Sequence, residues 1–595
     1  MMKNMLRKLI SASLCIVLAI AFFVPAQMES IDPLAEKAGQ IAETIVSDYG
    51  ATSVQYALID HDSIILSGGG GVFDKSENRA ITKDDMYGIG STSKMFAAAA
   101  AMVLWDKGRI DLDKPLTTYI PEFTMQDERY KEITPRMLMN HSSGLYGSSF
   151  ANTFLFDDND AVMHDTLLSK LSKQRLKAAP GEFSEYCNDG FTLLEILVER
   201  VSGMRYTDFL AEHFVAPLGL ENTKTPHDDF DKAKRLVKVY APFYADQLPD
   251  ETINALGTGG LYSTAEDLCR FARVLMGKRP DILSEQATVL MQNEEYKRGI
   301  WVEAESGNYI GEYGLGWDTV HGYPFVDYGL QALAKGGDTQ LFHSSLVVIP
   351  SLDIAMAVAS SGGASIIDYA FAASILQEYL LEKGIIPQIA PQKTFAAPTQ
   401  AEMPASLEAY SGLYVNATTS AGVEVKGGVL TLTKRNGEPE TKWVYAGEQG
   451  FLSEDGSTSI TFSRQTDGEL YLLQSQLIAL PGVGQASFNQ LIFKMAKPFA
   501  LEGSVTDGWE VRAGKTYYAV SEKATSQAYF LGIDALRVRL NEDFSHGFAY
   551  GGAKIVDDNC AVNTVKFRDV TDLEFFVKDG REYVNANDMV LILED

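Results

Sequence analysis

The sequence predicts an α+β domain followed by an all-β C-terminal part. Residues 31–386 alternate helical and strand-like segments, with strands at both ends of a mainly helical middle. Residues 387–405 are rich in proline, which is typical of an extended linker. Beyond this linker, short strand-like segments are separated by Gly-Gly, Asn-Gly and Asp-Gly turns. We expect the two ends of the first region to form one antiparallel sheet.

The N-terminus has the three parts of a secretory signal. Basic residues precede an apolar run from Leu9 to Val24, and small residues predict cleavage after Ala26. We therefore expect residues 1–26 to be a signal peptide and the protein to be secreted or held at the exterior of the cell envelope. A retained membrane anchor stays open as an alternative, because the run is only slightly shorter than a spanning helix.

Hydrophobic periodicity predicts the main elements of the first region. Polar turns and glycines mark their ends, as at His61-Asp62 between two strands and at Gly203 after a helix. The predicted elements are two strands over 52–71, a helix from Lys94 to Lys107, a helix over 189–203, a helix capped by Ser263 or Thr264, two strands over 341–361 and a helix over 368–384.

The last part of the chain divides weakly near Lys497-Pro498. Residues 406–497 and 498–595 both contain short alternating segments, so we expect one or two small barrels or sandwiches. The two segments are also able to form one unit.

Composition excludes several classes of function. The chain has 51 basic and 79 acidic residues and a net charge of −28, which argues against binding of nucleic acid or of anionic lipid through a basic patch. Cys187, Cys269 and Cys560 are far apart in sequence, and a disulfide framework is improbable for a chain of this size. The histidines show no metal-binding spacing, so we expect neither a metal nor another cofactor.

A candidate nucleophile lies in the segment Met86–Asp111. Gly88-Ile89-Gly90 interrupts regular structure just before the predicted helix, so Ser91 falls at or near the helix N-terminus. Lys94 follows three residues later and shares its face. A serine hydroxyl needs a neighbouring base to act as a nucleophile, and a desolvated lysine is such a base. The alternative is a helix cap beside a solvated lysine.

Two further segments carry polar residues that are candidates for the same site. Residues 132–145 predict a helix that ends in a His-Ser-Ser-Gly turn, where His141 is most simply a structural histidine. Tyr186 and Asn188 lie between a Pro-Gly turn and the predicted helix over 189–203. A tyrosine there can relay protons, and an amide can hold a substrate carbonyl or the lysine. Without a nucleophile nearby, Tyr186 would be interpreted as a half-buried aromatic residue.

A glycine-containing segment, Lys335-Gly336-Gly337-Asp338-Thr339, directly precedes a predicted strand. The glycines allow a substrate backbone to lie against the strand edge, and the N–H of Asp338 is able to pair with that of Ser91 as an oxyanion hole. Lys335 would supply positive charge for a substrate carboxylate. The alternative is a solvated lysine in a turn.

Taken in order, these segments resemble the class C β-lactamases and penicillin-binding-protein-like serine hydrolases, a group that includes D-alanyl-D-alanine carboxypeptidases, D-aminopeptidases and esterases. The resemblance covers about residues 35–385. It rests on Ser91-Thr92-Ser93-Lys94, ITPRMLMNHSSGL, Tyr186-Cys187-Asn188 with LLEILVERVSG, PLGLENT, GTGGLYSTAEDL, YGLGW and Lys335-Gly336-Gly337. It implies a β-lactamase/transpeptidase-like domain, in which helices flank an antiparallel sheet and an all-helical region is added.

The resemblance also implies roles for residues. Ser91 is the acylated nucleophile, Lys94 its proton partner and Tyr186 the acid/base, while Asn188 orients the substrate and the lysine. Lys335 occupies the position of the family's third motif, Lys-Thr-Gly or His-x-Gly.

This chain departs from that motif in three ways. Gly336 lacks the hydroxyl that binds a β-lactam carboxylate, which Thr339 would partly replace. Asp338 would disfavour an anionic substrate, and Leu341 stands where many members have glycine. These departures disfavour efficient β-lactam hydrolysis more than peptidase or esterase activity.

We therefore expect an exported serine hydrolase that acts through an acyl-enzyme on D-amino-acid peptides of the cell wall. An esterase or weak β-lactamase on the same scaffold is one alternative. An inactive protein that binds penicillin or wall peptides is the alternative of another class. The expected partner is a small-molecule or peptide substrate, with membrane contact only if the N-terminal signal is retained.

Overall fold

A computed structural model describes residues 32–301, 307–395, 398–532 and 537–594. The predicted signal peptide and its cleavage site lie outside the described residues. The helices are α1 Pro33–Asp48, α2 Ser93–Asp106, α3 Pro135–Met139, α4 Val162–Leu171, α5 Asn188–Ser202, α6 Tyr206–Leu210, α7 Ala216–Leu218, α8 Lys232–Arg235, α9 Leu256–Gly259, α10 Ala265–Leu275, α11 Glu285–Met291, α12 Ser365–Glu382, α13 Gly503–Glu510 and α14 Ala528–Leu531.

The strands form one sheet in the first region, two short two-stranded pairs, and two larger units near the C-terminus. They are β1 Ser53–Asp60, β2 Ser63–Asp74, β3 Arg79–Ala80, β4 Tyr87–Gly88, β5 Phe154–Phe156, β6 Glu251–Ile253, β7 Tyr262–Ser263, β8 Leu333–Asp338, β9 Phe342–Ile349, β10 Ile354–Ser361, β11 Gly412–Val415, β12 Ser420–Lys426, β13 Val429–Lys434, β14 Thr441–Tyr445, β15 Phe451–Leu452, β16 Thr458–Arg464, β17 Leu470–Leu480, β18 Gly484–Ala496, β19 Thr516–Ala519, β20 Arg537–Arg539, β21 Phe548–Tyr550, β22 Ala553–Ile555, β23 Cys560–Asn563, β24 Leu573–Lys578, β25 Arg581–Ala586 and β26 Met589–Leu593.

The main sheet joins the two ends of the first region, as the sequence predicts. Its order is β3-β2-β1-β10-β9-β8, and its pairings are antiparallel. Strand β1 pairs with β10 along its whole length, for example Tyr56 with Val358. Strand β8 lies at one edge of the sheet. The predicted α+β class is confirmed.

Helices cover both faces of this sheet. Helices α1 and α12 pack on one face, and α10 packs on the other against β1 and β10. Helix α2 lies further inside the helical region, in contact with α5 and α9. Its alanines Ala97–Ala101 are fully buried, because small side chains let neighbouring helices approach closely. The helix that carries Lys94 is therefore surrounded by protein.

The first C-terminal unit is a closed antiparallel barrel of strands β11–β18. Strand β11 pairs with both β12 and β18 and so closes the barrel. The Gly-Gly turn that the sequence predicts joins β12 to β13, with both φ angles positive at Gly427 and Gly428. Buried aromatic and aliphatic side chains, including Tyr414 and Phe451, form its core.

The second C-terminal unit is an eight-stranded antiparallel sheet in the order β20-β19-β26-β25-β24-β23-β22-β21. It also contains the two short helices α13 and α14, which the strand-only prediction missed. Trp509 of α13 is fully buried in this unit, and its ring centroid lies 5.1 Å from that of Phe575. The buried indole packs this helix against the sheet, together with Val505.

The C-terminal units pack against the first region. Phe567 and Val570 share one buried cluster with Tyr146 and Phe183 of the first region and with Tyr471 of the barrel. Between the first region and the barrel, the described residues of 387–404 form neither helix nor strand. In the described part of the chain, every helix is too short or too polar to cross a membrane.

Candidate active site

Ser91 lies in a tight turn, Gly90–Thr92, directly before α2 begins at Ser93. Gly90 has a φ of 48°, and a Cβ atom added there would lie 2.8 Å from the backbone nitrogen of Asp338. The turn therefore contacts the edge strand β8 backbone to backbone. Thr92 occupies the cap position and makes no side-chain cap bond. The structure does not support the alternative interpretation of Ser91 as the helix cap, because Thr92 occupies that position.

Lys94 is placed as a base for Ser91. Its Nζ lies 2.9 Å from Oγ of Ser91 and donates a hydrogen bond of 2.7 Å to the carbonyl of Thr258. The side chain is fully buried. Burial lowers the pKa of Lys94 well below its ordinary value, and the nearby charge of Lys335 lowers the pKa further. A neutral amine has the lone pair that can take the serine proton.

The carbonyl of Thr258 is fixed by contacts of α9 with α5. Oγ1 of Thr258 donates to the carbonyl of Asn188 at 2.9 Å and lies 2.9 Å from Oγ1 of Thr192. The carboxylate of Glu195 accepts the N–H of Gly257 at 2.7 Å. These bonds hold α9 in place, and α9 in turn sets the position of the Lys94 amine.

Tyr186 lies beside the serine and the lysine. The Nζ atoms of Lys94 and Lys335 lie 5.1 and 5.2 Å from its ring centroid, and Nζ of Lys335 donates to its hydroxyl at 3.3 Å. Burial raises the pKa of the Tyr186 phenol, whereas the charge of Lys335 and a hydrogen bond with Ser91 lower it. This tyrosine is in position to pass a proton to or from the serine.

The ring of His141 packs against the ring of Tyr186. The two rings stack with centroids 4.4 Å apart, and Nδ1 of His141 accepts the backbone N–H of Cys187 at 3.0 Å. Burial lowers the pKa of His141 well below its ordinary value. A neutral histidine that accepts from the backbone is structural, as the sequence suggested.

Lys335 lies at the site with a partner that the sequence did not reveal. It is fully buried, and Nζ donates to both carboxylate oxygens of Asp318, at 2.7 and 2.8 Å. Burial alone would lower the pKa of Lys335, but the carboxylate of Asp318 outweighs burial and raises it. The charge of Lys335 is thus neutralised within the protein. The geometry does not support the expected role of Lys335 in binding a substrate carboxylate.

Gly336 and Gly337 belong to strand β8 itself and not to a turn before it. They pair with Ser345 and Ser344 of β9. A Cβ atom at Gly337 would lie 2.0 Å from the carbonyl oxygen of Ile89, so only glycine lets the strand approach the serine turn. The N–H of Gly336 donates to Asp318 at 3.0 Å.

Asp338 and Thr339 are engaged differently from the sequence expectation. Oδ1 of Asp338 lies 2.7 Å from Nδ1 of His343 and accepts the backbone N–H of Ser365 at 2.8 Å. The hydroxyl of Thr339 is bonded to the carboxylate of Glu251. Asp338 is therefore a paired carboxylate, and the Thr339 hydroxyl is not free to replace the one that Gly336 lacks.

The side chain of Asn188, the first residue of α5, makes no hydrogen bond with Lys94 in the described part of the chain. Its Nδ2 donates to Oγ of Ser148 at 2.8 Å, and Oγ of Ser148 donates to the carboxylate of Asp569 at 2.6 Å. Among its contacts with described residues, only the backbone carbonyl reaches the lysine, through Thr258.

Ser91, Tyr186 and Asn188 line a cavity of about 310 Å³, together with Gly336 and Asp338. A second cavity of about 550 Å³ lies between the first region and the barrel, lined by barrel residues such as Trp443 and Phe488. The two cavities share Tyr186, Ile310 and Arg568. A substrate at Ser91 is therefore able to extend toward the barrel.

Sequence reasoning missed three residues that shape the site: Thr258, Asp318 and Arg568. Thr258 lies in the segment GTGGLYSTAEDL, whose small residues indicate that another part of the chain packs close to its backbone. Asp318 follows YGLGW and carries no signal of its own. Arg568 comes from the C-terminal sheet, and no local pattern connects it with Ser91.

Comparison with known proteins agrees with this geometry. A model of the β-lactamase family matches residues 35–377, more than half of the chain. The chain belongs to the β-lactamase family, and the resemblance inferred from the motifs is confirmed. Ser91, Lys94 and Tyr186 all lie within the residues that this family model matches.

Individual relatives are distant. The beta-lactamase-like protein 2 of Dictyostelium discoideum is 27% identical over 352 residues, which cover 56% of this chain but only 61% of that protein. The D-alanyl-D-alanine-carboxypeptidase/endopeptidase AmpH of Escherichia coli (strain K12) is 26% identical over 287 residues, covering 46% of this chain and 71% of AmpH. An octameric penicillin-binding protein homologue from Pyrococcus abyssi has a similar fold, with a TM-score of 0.51, 19% identity, and coverage of 77% of this chain and 100% of that chain.

Proposed function

We propose that this protein is an exported serine hydrolase that cleaves D-alanyl-D-alanine or related D-amino-acid peptides through an acyl-enzyme on Ser91. The observation that carries the hydrolase chemistry is the contact of 2.9 Å between Nζ of the buried Lys94 and Oγ of Ser91. The similarity to AmpH over 287 residues supports the peptide class.

In this reaction Oγ of Ser91 attacks the scissile carbonyl while the amine of Lys94 takes the serine proton. The backbone N–H groups of Ser91 and Asp338 stabilise the oxyanion. Tyr186 donates a proton to the leaving amine, and the bond between that nitrogen and the carbonyl carbon breaks. Water then attacks the ester on Ser91 and regenerates the hydroxyl, with the protons returned through Tyr186 and Lys94.

The substrate class is tested with N-acylated dipeptides that differ only in chirality. We expect release of D-alanine from an N-acyl-D-Ala-D-Ala peptide and little release from the L-Ala-L-Ala peptide. Ser91→Ala is the control and should release neither. Hydrolysis of simple nitrophenyl esters with no cleavage of either peptide would favour an esterase instead, and inertness toward all substrates would favour a binding protein.

Export is tested by the mature N-terminus. Expression of the full chain with its N-terminal segment should give a mature protein that begins after Ala26 in the exported fraction. A chain that keeps residues 1–26 and sediments with membranes would show that the segment is a membrane anchor.

A further inference from the structure

Arg568 brings a positive charge from the C-terminal sheet into the cavity of Ser91. It lies in the loop between β23 and β24, residues 564–572, and its guanidinium carbon is 4.5 Å from the ring centroid of Tyr186. Its side chain is 44% exposed. A guanidinium that lies over an aromatic ring is still able to bind a carboxylate through its N–H groups, by two parallel hydrogen bonds.

The loop that carries Arg568 is anchored at the rim of the site. The carbonyl of Phe567 accepts a bond of 2.9 Å from Nζ of Lys177, and Oδ1 of Asp569 accepts one of 2.6 Å from Oγ of Ser148. A Cβ atom at Gly147 would lie 2.4 Å from Oδ1 of Asp569, so the glycine lets this loop approach. These contacts hold Arg568 beside Tyr186, in the cavity that Ser91 lines.

Two other charged side chains at the site already have partners within the protein. Lys335 is bonded to Asp318, and Asp338 to His343 and Ser365. Among the described residues that line the 310 Å³ cavity, Arg568 is the one basic side chain. Its Nε forms an ion pair with the carboxylate of Asp569 at 3.0 Å. Its Nη groups make no hydrogen bond within the described part of the chain, so they are the atoms available to a substrate carboxylate.

We propose that Arg568 binds a carboxylate of the substrate, so that the C-terminal sheet supplies the group that selects anionic substrates at Ser91. Arg568 thereby takes over the role that the sequence assigned to Lys335. The proposal rests on the proposed acyl-enzyme function and narrows its substrate class to peptides or esters with a carboxylate near the scissile bond. The rest of such a substrate has room in the 550 Å³ cavity on the far side of Arg568.

The test compares matched substrates that differ only in charge. One pair is an N-acyl-D-Ala-D-Ala peptide with a free carboxylate and its C-terminal amide. The other pair is the nitrophenyl monoester of succinic acid and the nitrophenyl ester of butyric acid. For Arg568→Ala we expect kcat/KM to fall roughly 10- to 100-fold for the charged member of at least one pair and no more than about 3-fold for its neutral partner.

Two further variants separate substrate binding from loss of structure. Arg568→Lys should recover part of the loss, because it keeps the charge but not the bidentate geometry. Arg175→Ala is the matched control, since Arg175 bonds Asp572 of the same loop at 2.8 Å without lining either cavity. It should leave the preference for charged substrates intact.

The outcomes distinguish the two proposals. If the wild type cleaves the esters but neither peptide, the D-peptide function fails and the ester pair still tests Arg568. If Arg568→Ala slows charged and neutral members equally, or slows neither, the role of Arg568 is overturned while the hydrolase function stands. A wild type that is inert toward both pairs overturns both proposals.

Discussion

Nζ of Lys94 lies 2.9 Å from Oγ of Ser91, and the same nitrogen donates to the carbonyl of Thr258. The bond to the backbone carbonyl thus holds the lysine amine within hydrogen-bond distance of the serine. Burial lowers the pKa of Lys94 well below its ordinary value, which favours the neutral amine that can accept the serine proton.

Replacement of Lys94 by methionine tests this role. Lys94→Met keeps an unbranched side chain in the buried position but removes the base. We expect kcat/KM to fall roughly 100- to 10,000-fold, with a midpoint of thermal unfolding that is unchanged or higher because no buried amine remains. Lys107→Met, after the end of the same helix, is the control and should keep full activity. Equal activity of Lys94→Met and wild type would exclude the lysine as the base.

Tyr186→Phe separates the hydroxyl from the ring. The phenylalanine ring keeps both ring contacts of Tyr186, the stack with His141 and the contact with the Arg568 guanidinium. The variant should therefore unfold at nearly the wild-type temperature. Loss of the proton relay should lower kcat roughly 100-fold or more. Steady-state kinetics together with thermal unfolding measure both effects. A variant that keeps the wild-type kcat would show that another group carries the leaving-group proton.

Gly337→Ala tests the close approach of β8 to the serine turn. The added methyl would lie 2.0 Å from the carbonyl oxygen of Ile89 and 2.8 Å from the nitrogen of Thr92, so one backbone segment must shift. We expect a loss of at least about 1–3 kcal/mol in the free energy of unfolding and strongly reduced activity. Gly39→Ala in α1 is the control, because nothing lies within 4 Å of its added Cβ.

Asp368→Asn tests how a buried carboxyl group in α12 makes stability depend on pH. Burial raises the pKa of Asp368 to about 7. The folded protein therefore keeps this proton between about pH 4 and 7 while the unfolded chain loses it, so stability falls as pH rises through that range. Asparagine cannot ionise, and the variant should be more stable than wild type at pH 8 by about 1.4 kcal/mol for each unit of pKa shift.

The measurement is denaturant unfolding of wild type and Asp368→Asn from pH 4 to pH 8. The two curves should converge toward pH 4 and separate above it. The exposed carboxylate of Glu43 in α1 provides the control, Glu43→Gln, which should follow wild type throughout. A constant difference between Asp368→Asn and wild type at all pH values would contradict the titration.

Local sequence patterns predicted much of the fold and part of the site. Alternation and turn residues predicted strands β1, β2, β9 and β10, and the position of Ser91 and Lys94 at a helix start followed from the glycines before them. The sequence places Lys335-Gly336-Gly337 directly before a predicted strand, with a turn as the alternative, but pairing with β9 makes these residues part of an edge strand. Backbone pairing outweighs local propensity there.

The remaining features depend on residues far apart in the chain. Asp318 forms an ion pair with Lys335, and the carboxylate of Glu251 accepts a hydrogen bond from the hydroxyl of Thr339. The spacing of residues in the sequence predicts neither contact. Arg568 reaches Tyr186 because the C-terminal sheet packs on the rim of the cavity. Contacts of this kind arise from tertiary packing, which hydrophobic periodicity does not encode.

Intact-protein mass after mixing with a penicillin is the most direct test of Ser91 as the nucleophile. We expect wild type to gain the mass of the antibiotic, because Ser91 opens the β-lactam ring and keeps it as an ester, and we expect Ser91→Ala to gain nothing. Consumption of the antibiotic by wild type alone, without a lasting adduct, would fit the same nucleophile with fast deacylation. An adduct of equal yield on Ser91→Ala would contradict Ser91 as the nucleophile. So would a wild type that reacts neither with penicillin nor with nitrophenyl esters.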